Sequence, residues 1–319
     1  MKILITGGTG FLGSKMVERL VSEGGHEIVV MDNMCTGRIG NIKPFLDDKK
    51  ITYIKWDITD PRTVKKVRKM NFDQIYNFAC PASPKYYLKF PIETWEASVL
   101  GVRNLLQAVV NTKTRLLQTS TSEVYGDPQV SPQPEEYWGN VNPNGVRACY
   151  DEGKRAAEAL IFDYLRKTDV DVRVARIFNS YGPNMDPEDG RAICTFVTQA
   201  LQNSDVTLFG DGAKITRSFC YVDDTVCGLH MLMESNKKID GPINIGNPVE
   251  RSIKDAAEII IKTVNSKSKI VTLPKMSDDP VRRKPNIEKA KKTLGWEPKV
   301  TFEEGLKLSI EYFRKELKI

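Results

Sequence analysis

The sequence has only two histidines, and its six cysteines include no C-x-x-C pair. Because zinc sites are usually built from closely spaced cysteines and histidines, we expect no metal centre. No apolar run approaches the length of about 18 residues that a membrane-spanning helix requires. No secretion signal precedes the first apolar run, so we expect reduced thiols in a soluble, cytoplasmic protein.

Neither sign of charge dominates the sequence. The 47 Lys and Arg residues exceed the 41 Asp and Glu residues by only six in a chain of 319 residues. No basic block is dense enough to indicate a nucleic-acid partner, and the mild excess suits either an anionic small molecule or an ordinary solvated surface. An apolar fraction of 40% excludes wholesale disorder.

Apolar strand patterns alternate with amphipathic helix patterns through the first half of the chain. The first strand covers residues 3–6, and the helix that follows covers residues 11–22. This alternation predicts an α/β fold of the Rossmann type with a doubly wound parallel sheet. Further strands are predicted over residues 27–31, 51–56, 74–78, 115–119 and 172–178, and further helices over residues 60–69, 94–110 and 147–167.

The composition of the sequence changes near residue 179, where Gly, Pro, Asn and Asp become frequent. We therefore predict a nucleotide-binding domain over residues 1–178 and a smaller α/β domain, mainly for the substrate, over residues 179–319. Residues 219–243 are expected to return to the first domain. A last helix is predicted over residues 302–316.

A glycine-rich segment lies directly between the first predicted strand and the first predicted helix. Gly8, Gly10 and Gly13 satisfy G-x-G-x-x-G, and Gly7 begins a G-x-x-G-x-x-G pattern in the same loop. Glycine permits a tight turn here and lets a pyrophosphate approach the N-terminal end of the helix. The motif is weak alone, but the strand, the helix and the spacing together predict a dinucleotide site.

An acidic residue, Asp32, ends the second predicted strand 19 residues after Gly13. A carboxylate there accepts hydrogen bonds from the adenosine ribose and repels a ribose phosphate, which favours NAD over NADP. Arg38 follows closely enough to keep NADP as a minor alternative, and Asp57 is expected either to reach the adenine or to cap a turn. The predicted cofactor-binding residues are Gly7, Gly10, Phe11, Leu12, Gly13, Asp32, Asn33, Thr36, Gly37, Asp57, Ile58, Tyr150 and Lys154.

A tyrosine and a lysine, Tyr150 and Lys154, stand one helical turn apart. On a helix they share a face, so the ammonium group is expected to lower the pKa of the phenol. A phenolate near neutral pH is a suitable base for a sugar hydroxyl during hydride transfer. The strand predicted at residues 115–119 leads into a run of hydroxyl residues, including Thr121, that can supply a third hydrogen-bonding group.

Together these motifs are similar to those of the extended short-chain dehydrogenase/reductase superfamily. Within it, the chain most resembles the UDP-glucuronate decarboxylase family, also called the UDP-xylose synthase family. The likeness covers nearly the whole chain, and matches this long are far more specific than a glycine motif alone. The segments that carry it are 81–84, 120–128, 147–155, 175–179 and 278–285.

The resemblance implies an enzyme that converts UDP-glucuronate into UDP-xylose with NAD as a bound catalyst. It implies that Tyr150 takes the proton of the C4 hydroxyl while Thr121 shares the hydrogen bond, and that Lys154 holds the nicotinamide ribose. Oxidation at C4 would precede loss of CO2, protonation at C5 and return of hydride to C4. Arg283 is implied near the substrate carboxylate, and Glu123 has either a role in the reaction or a structural one.

The predicted catalytic residues are Tyr150, Lys154, Thr121, Ser122, Glu123 and Arg283. Ser122 stands where similar nucleotide-sugar 4,6-dehydratases carry an aspartate that protonates a leaving hydroxyl, and a serine cannot act as that acid at neutral pH. The resemblance also implies substrate contacts, with fold support as the alternative for each. These residues are Asn104, Asn179, Arg191, Arg217, Tyr221 and Arg283.

Several alternative functions stay open from the sequence. They are a decarboxylase that releases the UDP-4-keto-pentose, a nucleotide-sugar 4,6-dehydratase, a 4-epimerase, and a non-catalytic NAD-binding sensor. The intact tyrosine and lysine argue against the sensor. The likeness further implies a homodimer built from the helices around residues 94–111 and 147–167.

Overall fold

The computed structural model describes residues 1–319. Its strands are β1 (Lys2–Thr6), β2 (Glu27–Asp32), β3 (Ile51–Lys55), β4 (Gln74–Asn77), β5 (Arg115–Thr121), β6 (Asp171–Ile177), β7 (Ser180–Tyr181), β8 (Val206–Phe209), β9 (Thr216–Ser218), β10 (Cys220–Tyr221), β11 (Ile243–Ile245), β12 (Glu250–Ser252), β13 (Ile270–Leu273) and β14 (Arg282–Arg283).

The α-helices are α1 (Phe11–Glu23), α2 (Lys43–Asp47), α3 (Thr63–Met70), α4 (Pro84–Lys89), α5 (Pro91–Glu96), α6 (Val102–Val109), α7 (Ala148–Lys167), α8 (Ala192–Leu201), α9 (Val222–Glu234), α10 (Ile253–Val264), α11 (Glu288–Leu294) and α12 (Phe302–Leu317). Short 3-10 segments cover Ile39–Asn41 and Ser122–Tyr125, and a π-helical segment covers Ala97–Gly101. No helix combines the length and the apolar character needed to span a bilayer.

The central sheet contains seven strands in the order β11-β6-β5-β4-β1-β2-β3. Every neighbouring pair in it is parallel. The chain leaves β1 first toward β2 and β3 and later returns to β4 on the other side. This reversal of direction confirms the predicted Rossmann-type fold, and it opens a crevice at the carboxyl ends of β1 and β4.

Alternation along β1 shows how the sheet is buried on both faces. Ile3 and Ile5 belong to one apolar core, together with Met16 of α1, whereas Leu4 belongs to a second core on the opposite face. A strand covered on both sides reads as a continuous apolar run, which is the pattern of this segment. The first core continues without a break into C-terminal residues such as Phe313.

Three small sheets follow the central one. They are the three-stranded β12-β9-β14 and the pairs β10-β7 and β13-β8. In addition, β11 pairs with β6 in the central sheet, and α9 packs against α1. The predicted return of residues 219–243 to the first domain stays a prediction. The division into two domains at residue 178 stays a prediction.

The helix predicted over residues 94–110 is interrupted in the structure. It is divided into α5, the π-helical segment Ala97–Gly101 and α6. At this interruption Gly153 of α7 packs closely against Ser98. A Cβ added to Gly153 would lie 3.2 Å from the Cβ of Ser98. Single π-helical turns are frequent beside functional sites, and this one lies next to the helix that carries Tyr150.

Candidate active site

A cavity of about 800 Å³ lies at the carboxyl ends of the central strands and extends to the three-stranded sheet. All the predicted cofactor-binding and catalytic residues line it, from the glycine loop to Arg283. Asn179, Arg191 and Arg217 line it as well. The structure therefore brings together residues that are far apart in the sequence.

Close backbone packing explains the glycine loop between β1 and α1. Gly7 has a φ of +68°, and a Cβ there would lie 2.6 Å from the backbone nitrogen of Ala79. A Cβ at Gly13 would lie 2.2 Å from the carbonyl oxygen of Gly7. Gly10 caps α1 without a side-chain hydrogen bond, so the first N–H groups of α1 are free to meet a pyrophosphate.

The adenosine end of the cavity is organised around Asp32 and Asp57. Oδ2 of Asp32 accepts hydrogen bonds from the amide and the hydroxyl of Thr9, at 3.0 and 2.6 Å. Oδ2 of Asp57 accepts one from Asn33 at 2.8 Å, and its Oδ1 accepts two from Thr59. A carboxylate has about four acceptor positions, so Asp32 retains capacity for a ribose hydroxyl, and Asp57 caps a turn while it faces the cavity.

Arg38, the residue that kept NADP open, lines the cavity but its guanidinium group is held by the C-terminal helix. Its guanidinium group is paired with Glu316, and its Nη1 lies 3.4 Å from the hydroxyl of Tyr312. Both partners belong to α12, so the charge that a ribose phosphate would need is already neutralised. The residues present fit NAD.

The surroundings of Tyr150 differ from the prediction. Burial raises the pKa of the phenol, and the nearby Thr121 side chain offsets only part of this rise. Lys154 donates to the carbonyl oxygen of Thr119 at 2.9 Å, and its Nζ lies 5.8 Å from the centre of the Tyr150 ring. The expected lowering of the pKa by Lys154 is therefore absent here, because burial outweighs the ammonium charge at this distance.

A buried cluster of charges adjoins Tyr150. Glu123 accepts hydrogen bonds from Arg147 at 2.5 Å and from Nη2 of Arg283 at 2.8 Å, and Nη1 of Arg283 forms an ion pair with its other oxygen at 2.7 Å. Arg283 also donates to Oδ1 of Asn179 at 3.1 Å. Two guanidinium groups thus share the Glu123 carboxylate on the wall of the cavity.

The charge cluster continues outward through residues that the sequence analysis did not single out. Arg147 lies 3.6 Å from both Asp151 and Asp279, and Asp279 pairs with Arg217 at 2.8 Å. Burial, followed by the charge of Glu123, raises the pKa of Asp151 to about 7. The i, i+4 spacing of Arg147 and Asp151 on one helix was the only sequence signal for these residues.

Arg217 and Arg191, both predicted to contact the substrate, are each already paired with an aspartate of the protein. Burial, followed by the charge of Arg283, lowers the pKa of Arg217 to about 10, and Asp279 holds its Nη2. Arg191 pairs with Asp189 at 2.5 and 2.9 Å. The Arg191 guanidinium also lies 5.6 Å from the centre of the Phe11 ring, at the start of α1.

Two predicted substrate contacts lie outside the cavity lining. The amide of Asn104 donates to the carbonyl oxygens of Ile58 and Thr59, at 2.9 and 3.1 Å, and so supports the chain after Asp57. Tyr221 is buried against Tyr181, with ring centres 5.8 Å apart. For these two residues the structure supports the alternative role in the fold.

Comparison with known proteins identifies the family. The GDP-mannose 4,6 dehydratase family model matches residues 4–309. UDP-glucuronic acid decarboxylase 3 of Arabidopsis thaliana is 48% identical over 319 residues, which is 100% of this chain and 91% of the relative. UDP-glucuronic acid decarboxylase 1 of Xenopus tropicalis is 49% identical over 316 residues, 99% of this chain and 73% of the relative. The chain belongs to the UDP-glucuronic acid decarboxylase family.

This membership confirms the family and the superfamily that the motifs predicted. Among solved structures, a UDP-glucuronic acid 4-epimerase from Bacillus cereus superposes with a TM-score of 0.89 at 26% identity. The match covers 99% of this chain and 100% of the epimerase. That epimerase is a Tyr-to-Phe mutant in complex with NAD and UDP-4-deoxy-4-fluoro-glucuronic acid.

Proposed function

We propose that this protein decarboxylates UDP-glucuronate with NAD as a bound cofactor and releases UDP-xylose. The observation that carries the proposal is the placement of the Glu123–Arg283 pair in the same cavity as Tyr150 and Thr121. A site of this kind joins a base for a sugar hydroxyl to an arginine that can pair with a carboxylate. The names of the relatives and the NAD in the epimerase complex support the same function.

The first part of the reaction is an oxidation at C4 of the sugar. NAD, when bound, supplies the oxidising power at C4 and later the reducing power for the product. Tyr150 would remove the proton of the C4 hydroxyl, and Thr121 would hold that oxygen in place. Because burial raises the pKa of Tyr150, the phenolate would form only when Lys154 turns from the Thr119 carbonyl toward the bound cofactor and the phenol.

The second part is the loss of CO2 from the 4-keto acid. A ketone β to the carboxylate accepts the electron pair of the breaking C5–C6 bond as an enolate. Arg283 would orient the carboxylate, and Glu123 would hold the guanidinium groups of Arg147 and Arg283 in position. Ser122 provides no acid for expelling a C6 hydroxyl, which separates this site from a 4,6-dehydratase. A proton delivered to C5 completes the 4-keto pentose.

The proposal is tested with purified protein, UDP-glucuronate and NAD. Mass spectrometry follows the sugar nucleotide, and absorbance follows NADH. Loss of CO2 to a UDP-pentose without net NADH supports the full cycle. Loss of CO2 with accumulating NADH would mean that the 4-keto pentose is released. A 4-keto-6-deoxy product from UDP- or dTDP-glucose, an epimer, or no turnover at all would reject decarboxylation.

We further propose a homodimer that acts in the cytoplasm. Ile92 and Trp95 of α5 are apolar yet 68% and 43% exposed, which suits a face covered by a second copy. Ala157 and Ile161 of α7 are buried in the protein's own core and give the interface no support. All six cysteines are unpaired, as is usual in a reducing compartment. A monomeric mass by light scattering would reject the dimer.

A further inference from the structure

A short irregular segment, residues 184–190, follows β7 in the chain and leads into α8. Asn184, Asp186, Asp189 and Gly190 of this segment line the cavity. Hydrogen bonds tie the segment to two separate places in the first half of the chain. We call residues 184–190 the strap, because its two attachments lie on opposite sides of the dinucleotide crevice.

The first attachment of the strap is at the start of α1. The side-chain amide of Asn184 donates to Oγ of Ser14 at 3.1 Å, and Ser14 is fully buried. The side-chain amide of Asn41 donates to the carbonyl oxygens of Asn184 and Thr9, at 3.3 and 3.0 Å. Thr9 and Ser14 flank the glycine-rich start of α1, so this end of the strap lies beside the expected pyrophosphate site.

The second attachment of the strap is at α4. Nζ of Lys85 donates to the carbonyl oxygen of Glu188 at 2.9 Å and to its carboxylate at 3.0 Å. The Tyr86 hydroxyl donates to Oδ2 of Asp186 at 3.3 Å, and a Cβ added to Gly190 would lie 3.5 Å from the Cβ of Lys85. The crevice opens at the carboxyl ends of β1 and β4, which α1 and α4 follow, so the strap bridges it.

The two attachments differ in how easily they break. The side chains of Lys85 and Glu188 are 40% and 81% exposed, and exposed ion pairs contribute little to stability. The end at α4 can therefore open while Asn184 stays bound to buried Ser14. The cavity also reaches the small sheets, where Phe209 of β8 is half-exposed and no hydrogen bond joins β8 to the strap. This leaves a separate route for a sugar nucleotide.

We propose that the strap retains the reduced dinucleotide between the two hydride transfers and thereby limits the release of the 4-keto pentose. This inference rests on the proposed function. The hydride that leaves C4 must return to C4 before the product is UDP-xylose. Loss of the reduced dinucleotide before that return leaves the sugar oxidised and sets free one NADH for each CO2. The product ratio therefore depends on how often the strap opens at α4.

The first test measures the release of NADH in the absence of any sugar. Excess NAD displaces bound NADH, and stopped-flow fluorescence follows the exchange. Lys85→Met should raise the release rate constant by about three- to tenfold, as expected for one lost hydrogen bond and an exposed ion pair. Lys89→Met on the same helix is the matched control, because the Lys89 ammonium lies over the Phe90 ring and not at the strap. Both variants should keep the wild-type midpoint of urea unfolding.

A disulfide tests whether closure itself retains the cofactor. In Lys85→Cys/Gly190→Cys, the Cβ separation of 3.5 Å suits a disulfide. Because Gly190 has a φ of +86°, a cysteine there is strained, so the reduced double variant is the reference. Oxidation should slow NADH release severalfold although the lysine is gone, which separates closure from a direct contact of Lys85 with the cofactor. Lys85→Cys alone, oxidised in the same way, controls for the six native cysteines.

The second readout is the product ratio with UDP-glucuronate. The share of released CO2 that is matched by NADH and UDP-4-keto-pentose should rise in Lys85→Met and fall in the oxidised double variant. Equal NADH release from wild type, Lys85→Met and the oxidised protein would overturn the inference, as would a changed release rate with a fixed product ratio. If wild type binds UDP-glucuronate but releases no CO2, the proposed function fails, while the NADH measurement still decides whether the strap retains the cofactor.

Discussion

Arg283 meets Glu123 through two parallel contacts, with Nη1 2.7 Å from Oε1 and Nη2 2.8 Å from Oε2. Both side chains are almost fully buried, and Arg147 shares the same carboxylate. A buried pair of this kind stabilises little by comparison with an apolar core. The loss of one partner is costly because a bare charge is left behind.

Glu123→Gln should therefore destabilise the protein by about 3–5 kcal/mol and reduce CO2 release, because two guanidinium groups lose their shared counter-charge. Urea unfolding and the mass-spectrometric assay measure the two effects. Glu250→Gln is the control, since Glu250 pairs with the half-exposed neighbour Arg282 and should cost about 1 kcal/mol or less. Equal losses in the two variants would contradict the importance of the buried cluster.

Tyr150→Phe should lower turnover by about 10²–10⁴-fold, because the group that takes the C4 proton is removed. The Kd of NAD should change little, since the glycine loop and Asp32 are untouched. Single-turnover measurements and calorimetry check the two parts. Tyr164→Phe, on the same helix, should behave as the wild-type protein. Turnover within tenfold of wild type would remove Tyr150 from the proposed role.

The raised pKa of Asp151 predicts how stability depends on pH. The folded protein holds this proton up to about pH 7, whereas the unfolded chain releases it near its ordinary pKa. Between these values folding takes up a proton, so the stability that Asp151 contributes at low pH is lost as the pH rises toward 7. Each difference of one in pKa corresponds to about 1.4 kcal/mol.

Asp151→Asn abolishes this titration. Its unfolding free energy relative to wild type should therefore increase by about 1 kcal/mol or more between about pH 5 and about pH 7. Urea unfolding at a series of pH values measures the difference. Asp163→Asn, an exposed carboxylate on the same helix, is the control. Parallel curves for wild type and Asp151→Asn would show that Asp151 is ionised throughout.

The contact between Arg38 and α12 predicts the choice of cofactor. Wild-type protein should bind NAD more tightly than NADP, because Asp32 faces the ribose and Glu316 holds the nearby arginine. Glu316→Gln should reduce this preference severalfold by freeing Arg38 for a ribose phosphate. Titration of the cofactor-free protein with both dinucleotides measures it, and Glu311→Gln on the same helix is the control. An unchanged ratio of the two Kd values would exclude this role for Glu316.

The fold and the cofactor site could be predicted because their signals are local. The alternating apolar patterns gave β1 and α1 within one or two residues, and the glycine loop lies between them. Tyr150 and Lys154 were expected together because one helical turn separates them. Residues 94–110 were predicted as one helix because their apolar pattern is continuous, although close packing against Gly153 accompanies a π-helical turn there.

The charge cluster could not be derived from local patterns. Glu123 and Arg283 are 160 positions apart, and they are brought together by the pairing of β14 with β9 and by backbone hydrogen bonds from Gln133 to Lys284 and from Asn286 to Gln133. The raised pKa of Tyr150 was missed for a related reason. Helical spacing places Lys154 on the same helix face as Tyr150. It does not reveal that the phenol is buried or that the ammonium group binds the carbonyl oxygen of Thr119.

The groups for the two halves of the proposed reaction come from different sheets. Thr121 ends a strand of the seven-stranded sheet, whereas Arg283 lies in register with Arg217 on the small three-stranded sheet. Substitutions in β9 and β14 can therefore change the fate of the oxidised sugar while Thr121 and Tyr150, which act in the oxidation step, stay as they are. An engineer seeking a new product from this scaffold would begin with β9 and β14 and leave the dinucleotide crevice intact.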